Sequence, residues 1–123
     1  MVVDTSILLA IFFNEPSGPR ALDLLQKHRH DLQMSTVNYA ETLILIHDRQ
    51  PRVFRELREQ IEQSSLLLVP PTAEQAEIAA QARLRYPLNL GDCFAYALAK
   101  QEKCPLLTLD RDFRRTDLKV IFP

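Results

Sequence analysis

Leu66-Leu67-Leu68-Val69-Pro70-Pro71-Thr72-Ala73-Glu74-Gln75 contains the transition that decides the fold. Four apolar residues in a row are the signature of a strand covered on both faces. Pro70-Pro71 ends it. Thr72, with Gln75 three residues later, makes a capping box. Ala73, Ala76, Ala79, Ala80 and Ala82 then carry a helix to about Tyr86. The same handover from strand to helix recurs along the chain. Val2-Val3 is a short strand ending at Asp4, and Thr5-Ser6 offers an N-cap for a helix through Ile7–Phe13. Leu32–Ser35 reads as a strand and Thr36–Asp48 as a helix carrying Val37, Ala40, Leu43, Ile44 and His47. Leu106–Leu109 is a strand ending at Asp110, and Lys119–Phe122 is a short final strand.

Three further helices fill the gaps. Ala21, Leu22, Leu24 and Leu25 mark one to about His30, after a break at Asn14–Pro19 in which Ser17 is a cap candidate. Pro51 starts another, with Val53, Phe54, Leu57 and Ile61 on one side. Asn89 caps a third, running through Ala95, Leu98 and Ala99 to about Glu102. Short strands separated by helices pair in parallel through crossovers. The expectation is an α/β fold: one domain over residues 1–123, with a small parallel β-sheet and α-helices on both faces. Such sheets carry their sites at the carboxyl ends of strands, where strand order reverses.

Composition narrows the chemistry. The chain has 123 residues, 46% of them hydrophobic and 25% charged, ordinary for a soluble domain. A chain this size buries roughly 65–70% of its unfolded surface, so it holds a core without staples. Glycine occurs only twice, at Gly18 and Gly91. A Walker loop or a dinucleotide fingerprint needs several closely spaced glycines, so nucleotide binding through a glycine-rich turn is excluded. The longest apolar run, Ile7–Phe13, is far short of a membrane span. Only Asp4 carries a side-chain charge before it, which does not suit a signal peptide, so the protein is expected in the cytoplasm. Cys93 and Cys104 are too few for a disulfide scaffold or a thiolate zinc site and read as reduced thiols. The net charge of −1 and pI near 6.3 mean that any attraction for nucleic acid must be local.

Four acidic residues fall where the fold puts its site. Asp4 closes the first strand and Asp110 the strand over Leu106–Leu109. Glu41 lies near the start of the helix after the second strand, and Asp92 in the first turn of the Asn89-capped helix. Each has a structural reading of its own. Asp92 could complete a capping box with Asn89, and Glu41 one with Asn38. Asp4 could cap the first helix, and Asp110 could hold an Asx turn before Asp112. Together they demand more. Two like charges at ~4 Å cost about 4 kcal/mol at an effective dielectric of ~20, against a domain stability of ~5–15 kcal/mol. Either some are protonated or a cation sits among them. No lysine adjoins them in sequence, and a hard divalent ion held by oxygens, Mg²⁺ or Mn²⁺, suits the set. Such sites serve phosphodiester chemistry. His28, His30 and His47 offer no comparable base: the first two are two residues apart and do not share a helix face.

Four segments resemble PIN-domain ribonucleases: Met1-Val2-Val3-Asp4-Thr5-Ser6, Asn38-Tyr39-Ala40-Glu41, Leu88-Asn89-Leu90-Gly91-Asp92-Cys93-Phe94-Ala95-Tyr96-Ala97-Leu98-Ala99 and Leu107-Thr108-Leu109-Asp110-Arg111-Asp112-Phe113. The nearest group is the VapC-like toxins of prokaryotic toxin–antitoxin pairs. The resemblance implies an endoribonuclease using Mg²⁺ or Mn²⁺, acting on RNA, often a homodimer, and inhibited by a cognate antitoxin protein. It maps the family's acids onto Asp4, Glu41, Asp92 and Asp110, with Asp112 a second candidate for the last position. Ser6 and Thr108 match polar positions beside the metal, whose hydroxyls could orient a carboxylate or a water. As plain structure, Ser6 is a cap and Thr108 a strand residue.

RNA also needs positive charge near the cleft. Arg111, Arg114 and Arg115 directly follow Asp110 and are the candidates. Arg49, Arg52, Arg55 and Arg58 form a stripe, but Glu56, Glu59 and Glu62 lie four residues after the last three, so ion pairs are expected to lace that helix. Lys27, Arg29 and the nearby histidines read as a solvated helix end. Apolar residues along Ile7–Phe13 and Leu43–Ile46 form either a dimer face, a partner groove or core. Two other functions compete. One is a non-catalytic PIN-fold protein-binding module. The other is a phosphoacceptor receiver domain, which needs an aspartate ending the middle strand, where this chain has Val69-Pro70-Pro71.

Overall fold

The computed structural model describes all residues, Met1–Pro123. Along the chain run β1 (Val2–Val3), α1 (Thr5–Phe12), α2 (Gly18–Lys27), β2 (Gln33–Ser35), α3 (Thr36–Arg49), α4 (Phe54–Gln63), β3 (Leu67–Val69), α5 (Ala73–Arg85), α6 (Leu90–Glu102), β4 (Leu106–Leu107) and β5 (Val120–Ile121). A 3₁₀ turn at Pro51–Val53 leads into α4, and another at Arg111–Arg115 follows β4. No helix is long and apolar enough to cross a membrane.

The five strands form one parallel sheet in the order β3-β2-β1-β4-β5. β1 is central, with Val2 opposite Leu106 and Val3 opposite Leu107. All four are fully buried, as expected of parallel strands covered on both faces. Successive side chains point to opposite faces. Val2 and Leu106 therefore join one core with α5 and α6, while Val3 and Leu107 join a second with α1 to α4. Helix α6 is apolar nearly all round, with Cys93 and Ala95 to Ala99 buried. A helix of that pattern is a core helix.

Strand β3 departs from the expectation drawn from Leu66–Val69. It is an edge strand, and Leu67 is 62% exposed. Apolar content alone does not distinguish an edge strand from a central one. The middle strand is β1, and the aspartate closing it is Asp4, so Val69-Pro70-Pro71 was the wrong place to test a receiver. The ion-pair ladder on α4 is mostly absent too: only Arg58 and Glu62 meet, at 3.6 Å. Exposed side chains lose entropy on pairing, so such contacts are weakly specified. Ile7 to Phe13 resolves as core and cleft lining, because Ile7, Leu8 and Ala10 are buried. In Leu43–Ile46, Ile46 is buried while Ile44 is 66% exposed.

Candidate active site

The strand order runs one way from β1 through β2 to β3 and the other through β4 to β5. The reversal lies between β1 and β4, and ligand sites of open parallel sheets lie there, off the carboxyl ends. Asp4 follows β1 and Asp110 lies just past β4. Glu41 projects from α3, which follows β2 directly, and Asp92 from the first turn of α6.

Asp4 is the most enclosed, only 3% exposed. Its Oδ2 accepts from the Ser6 hydroxyl at 2.8 Å and the Thr108 hydroxyl at 2.8 Å. Burial raises its pKa; the two hydroxyls oppose that, and the Glu41 charge adds to it. Ser6 does not cap α1. The helix begins at Thr5 after Asp4, and neither side chain caps it. Ser6 Oγ instead accepts from the Leu109 backbone N–H at 3.0 Å, which fastens the end of β1 to the segment after β4. Thr108 is fully buried and lies one residue past β4; its oxygen also accepts from the Asp110 N–H at 3.0 Å. The two hydroxyls thus act on Asp4 and on the backbone together.

Glu41 does not cap α3 either, because Ser35 does, accepting from the Val37 N–H at 3.2 Å. The Glu41 Oε1 accepts from Thr5 Oγ1 at 3.1 Å and from Asn38 Nδ2 at 2.9 Å. Its carboxylate lies directly over Gly91, where a Cβ would collide with both its oxygens. Asp92 does complete the expected capping box: Asn89 Oδ1 accepts from the Asp92 N–H at 2.8 Å, and Asp92 Oδ2 accepts from the Asn89 N–H at 3.3 Å. Its pKa is nevertheless pushed up to about 7. Burial is the main cause, followed by the charges of Asp4 and Asp110 and, more weakly, Glu41, while the Asn89 N–H pulls the other way. Asp92 therefore fills its structural role and shares a field with the other three acids.

Asp110 also makes its expected Asx turn, its Oδ1 accepting from the Asp112 N–H at 2.9 Å. Asp112 is exposed and is not among the groups that perturb Asp92. Arg111, Arg114 and Arg115 are exposed on the same turn; Arg114 stacks 4.9 Å over the Phe122 ring. No ion pair neutralises any of the four clustered acids. As placed, no three ligand-type side chains close on a common point to grip an ion. The donor set is nonetheless oxygen only, and its mutual repulsion suits a hard cation that would draw it together. No histidine joins it: His47 packs edge-on against Phe54 at 5.2 Å, and His28 and His30 lie beyond the end of α2.

Thr5, Asn38 and Gly91 were not singled out from sequence as parts of this site. Glycine scarcity was the available signal. A glycine inside a helix, next to an acid of interest and in a chain holding only two, marks a close approach.

A family profile for the PIN domain matches residues 1–119. Ribonuclease VapC of Mycolicibacterium smegmatis is 41% identical over 133 aligned positions, spanning 98% of this chain and 99% of that protein. Among solved structures, Mycobacterium tuberculosis VapC20, described as a sarcin–ricin loop cleaving toxin, superposes with a TM-score of 0.84 at 19% identity, covering 99% of this chain and 98% of that one. A toxin–antitoxin complex from Klebsiella pneumoniae gives a TM-score of 0.76 at 24% identity over 98% of this chain and 94% of that one. With four carboxylates that carry no ion pair gathered near the switch point of a parallel sheet, and this likeness over nearly its whole length, the chain belongs to the PIN-domain family, among the relatives of Ribonuclease VapC.

Proposed function

We propose that the protein is a Mg²⁺- or Mn²⁺-dependent endoribonuclease that hydrolyses RNA phosphodiester bonds, and that it is the toxin of a toxin–antitoxin pair. One observation carries the reading: Asp4, Glu41, Asp92 and Asp110, from four separate segments, lie near enough that the other three charges add to burial in raising the Asp92 pKa, and none of the four is in an ion pair. The likeness to Ribonuclease VapC supports the reaction.

Those four acids would hold the cation. When bound, it supplies a water of lowered pKa and neutralises charge on the phosphate. The chain's own residues do the rest. Ser6 and Thr108 fix one oxygen of Asp4 by donating to it, which holds the carboxylate in one rotamer. Asn89 fixes Asp92 in the same way through the capping box. Arg111, Arg114 and Arg115, exposed on the turn after Asp110, would take phosphates flanking the cut. The test is cleavage of RNA with and without Mn²⁺, and in Asp92→Asn. EDTA and the substitution should each abolish it. Undiminished cleavage by the variant would overturn the role given to Asp92, and no divalent-ion binding at millimolar concentration would favour a non-catalytic binding module.

For the antitoxin we assign the apolar cleft of about 330 Å³ between α1, α2 and α4, lined by Leu8, Ile11, Phe12, Leu22, Leu25 and Ile61. It is wide enough to seat apolar side chains of a partner segment, and its rim residue Arg29 would meet an acidic one. The relationship to a toxin–antitoxin complex supports such a partner. Exposed Ile44 on α3 is our candidate contact for a homodimer. The cytoplasm is the compartment we assign, where RNA is available and Cys93 and Cys104 stay free thiols.

A further inference from the structure

We propose that Asn38 is the positioning residue for Glu41, setting the place of that carboxylate relative to Asp92; the inference rests on the nuclease reading above. Asn38 is completely buried. Its amide nitrogen donates to Glu41 Oε1 at 2.9 Å and to the Gly91 carbonyl at 3.0 Å. Both partners only accept, so the amide can face them in one orientation alone. Gly91 is the backbone neighbour of Asp92. A single NH₂ group thus touches one acid and the peptide carrying the next, on two different helices.

The amide oxygen shows what this arrangement costs. Asn38 Oδ1 is buried and has no hydrogen-bond partner. A buried acceptor left unpaired opposes folding. An apolar residue would avoid that but would leave Glu41 Oε1 and the Gly91 carbonyl without this donor. Thr5 extends the link to the end of β1: its hydroxyl lies 3.1 Å from both the Asn38 carbonyl and Glu41 Oε1. Glu41 has three rotatable side-chain bonds and is only half-buried. Without the Asn38 donor, Glu41 keeps only the Thr5 hydroxyl, whose single proton is shared with the Asn38 backbone carbonyl.

The test is a double-mutant cycle of Asn38→Ala and Glu41→Ala. Mn²⁺ binding to the metal-free protein is followed by electron paramagnetic resonance. In parallel, kcat and KM for an RNA oligonucleotide are measured at saturating Mn²⁺. Asn38→Ala is expected to weaken Mn²⁺ binding or lower kcat by roughly 10–100-fold, with KM for RNA changed by less than about twofold. In the Glu41→Ala background the same substitution should change Mn²⁺ affinity by less than about twofold, because its effect passes through the missing carboxylate. Equal factors in both backgrounds, or a lowered melting temperature with both readouts unchanged, would overturn the proposal. Should Asn38→Ala fail to fold, Asn38→Leu keeps the volume without the donor, and must show the same dependence on Glu41. Asp92→Asn is the reference arm. If it is dead while Asn38→Ala matches wild type, the positioning role alone is lost; if the wild type itself shows no Mn²⁺-dependent cleavage, the nuclease reading falls and this inference with it.

Discussion

The backbone of Gly91 passes so close beneath Glu41 that any side chain at position 91 would occupy the space of the carboxylate. The collision is with the far end of a flexible side chain, not with backbone. Gly91→Ala should therefore fold, and by helix propensity its stability should lie within about 1 kcal/mol of wild type. Glu41 would have to leave its place between Thr5 and Asn38. The expected result is a loss of RNA cleavage of at least about tenfold with the cooperative urea transition retained. Full activity in this variant would mean that the seen position of Glu41 is not the working one.

Thr108→Val removes a buried donor to Asp4 and the acceptor used by the Asp110 N–H, while keeping volume and branching. Hydrogen bonds to charged groups contribute about 1.5–3 kcal/mol. Urea unfolding at pH 8 should show a loss of that order, and cleavage should fall with it. Ser6→Ala should cost less, because the more exposed Ser6 leaves its partners nearer to water.

The pH dependence of stability has a definite sign in the absence of metal. Asp92 and Asp4 both have folded-state pKa values above the unfolded value, Asp92 at about 7. The folded state then binds more protons than the unfolded one from about pH 3.9 to beyond pH 7. Stability from these groups is present below the unfolded pKa and lost as pH rises through the folded one. In EDTA the melting temperature should fall between pH 5.5 and 8. Millimolar Mg²⁺ should raise it more at pH 8 than at pH 5.5, since the cation binds the ionised acids. A metal-free protein more stable at pH 8 would contradict the clustering.

Leu22, 41% exposed on the lip of the apolar cleft, tests the partner assignment. Leu22→Asp places a charge where an apolar side chain should seat. Binding to the cognate antitoxin, measured by calorimetry, should weaken by at least about tenfold, the 1.4 kcal/mol lost with one modest apolar contact. Unchanged affinity would move the partner to another face.

The elements were legible because their ends are punctuated. Asn89 and Asp92 bracket the start of α6, and Pro70-Pro71 closes β3. Thr72 caps α5 through the Gln75 N–H, but the expected capping box is only half made, because the Gln75 side chain donates to Gln101 instead. Asp4 and Asp110 could be placed at strand ends from the apolar runs before them. Lateral position in the sheet was not legible: Leu66–Val69 reads the same at an edge as at the centre, since strand order depends on contacts distant in sequence. The hydroxyls misled for a related reason. Ser6 looks like a cap because caps are local, whereas beyond Asp4 its partners, Leu109 and Thr108, lie more than 100 residues away. Asn38 was hidden similarly. Its spacing to Glu41 suggests a helix start, but Ser35 had already supplied one.

The pairing of β1 with β4 sets the order in which the site is completed. Asp4 is translated 104 residues before Thr108, whose hydroxyl it needs. A nascent chain in which β4 still occupies the exit tunnel has Asp4 without that donor and without Asp110 nearby. The carboxylates therefore come together only once β4 docks beside β1.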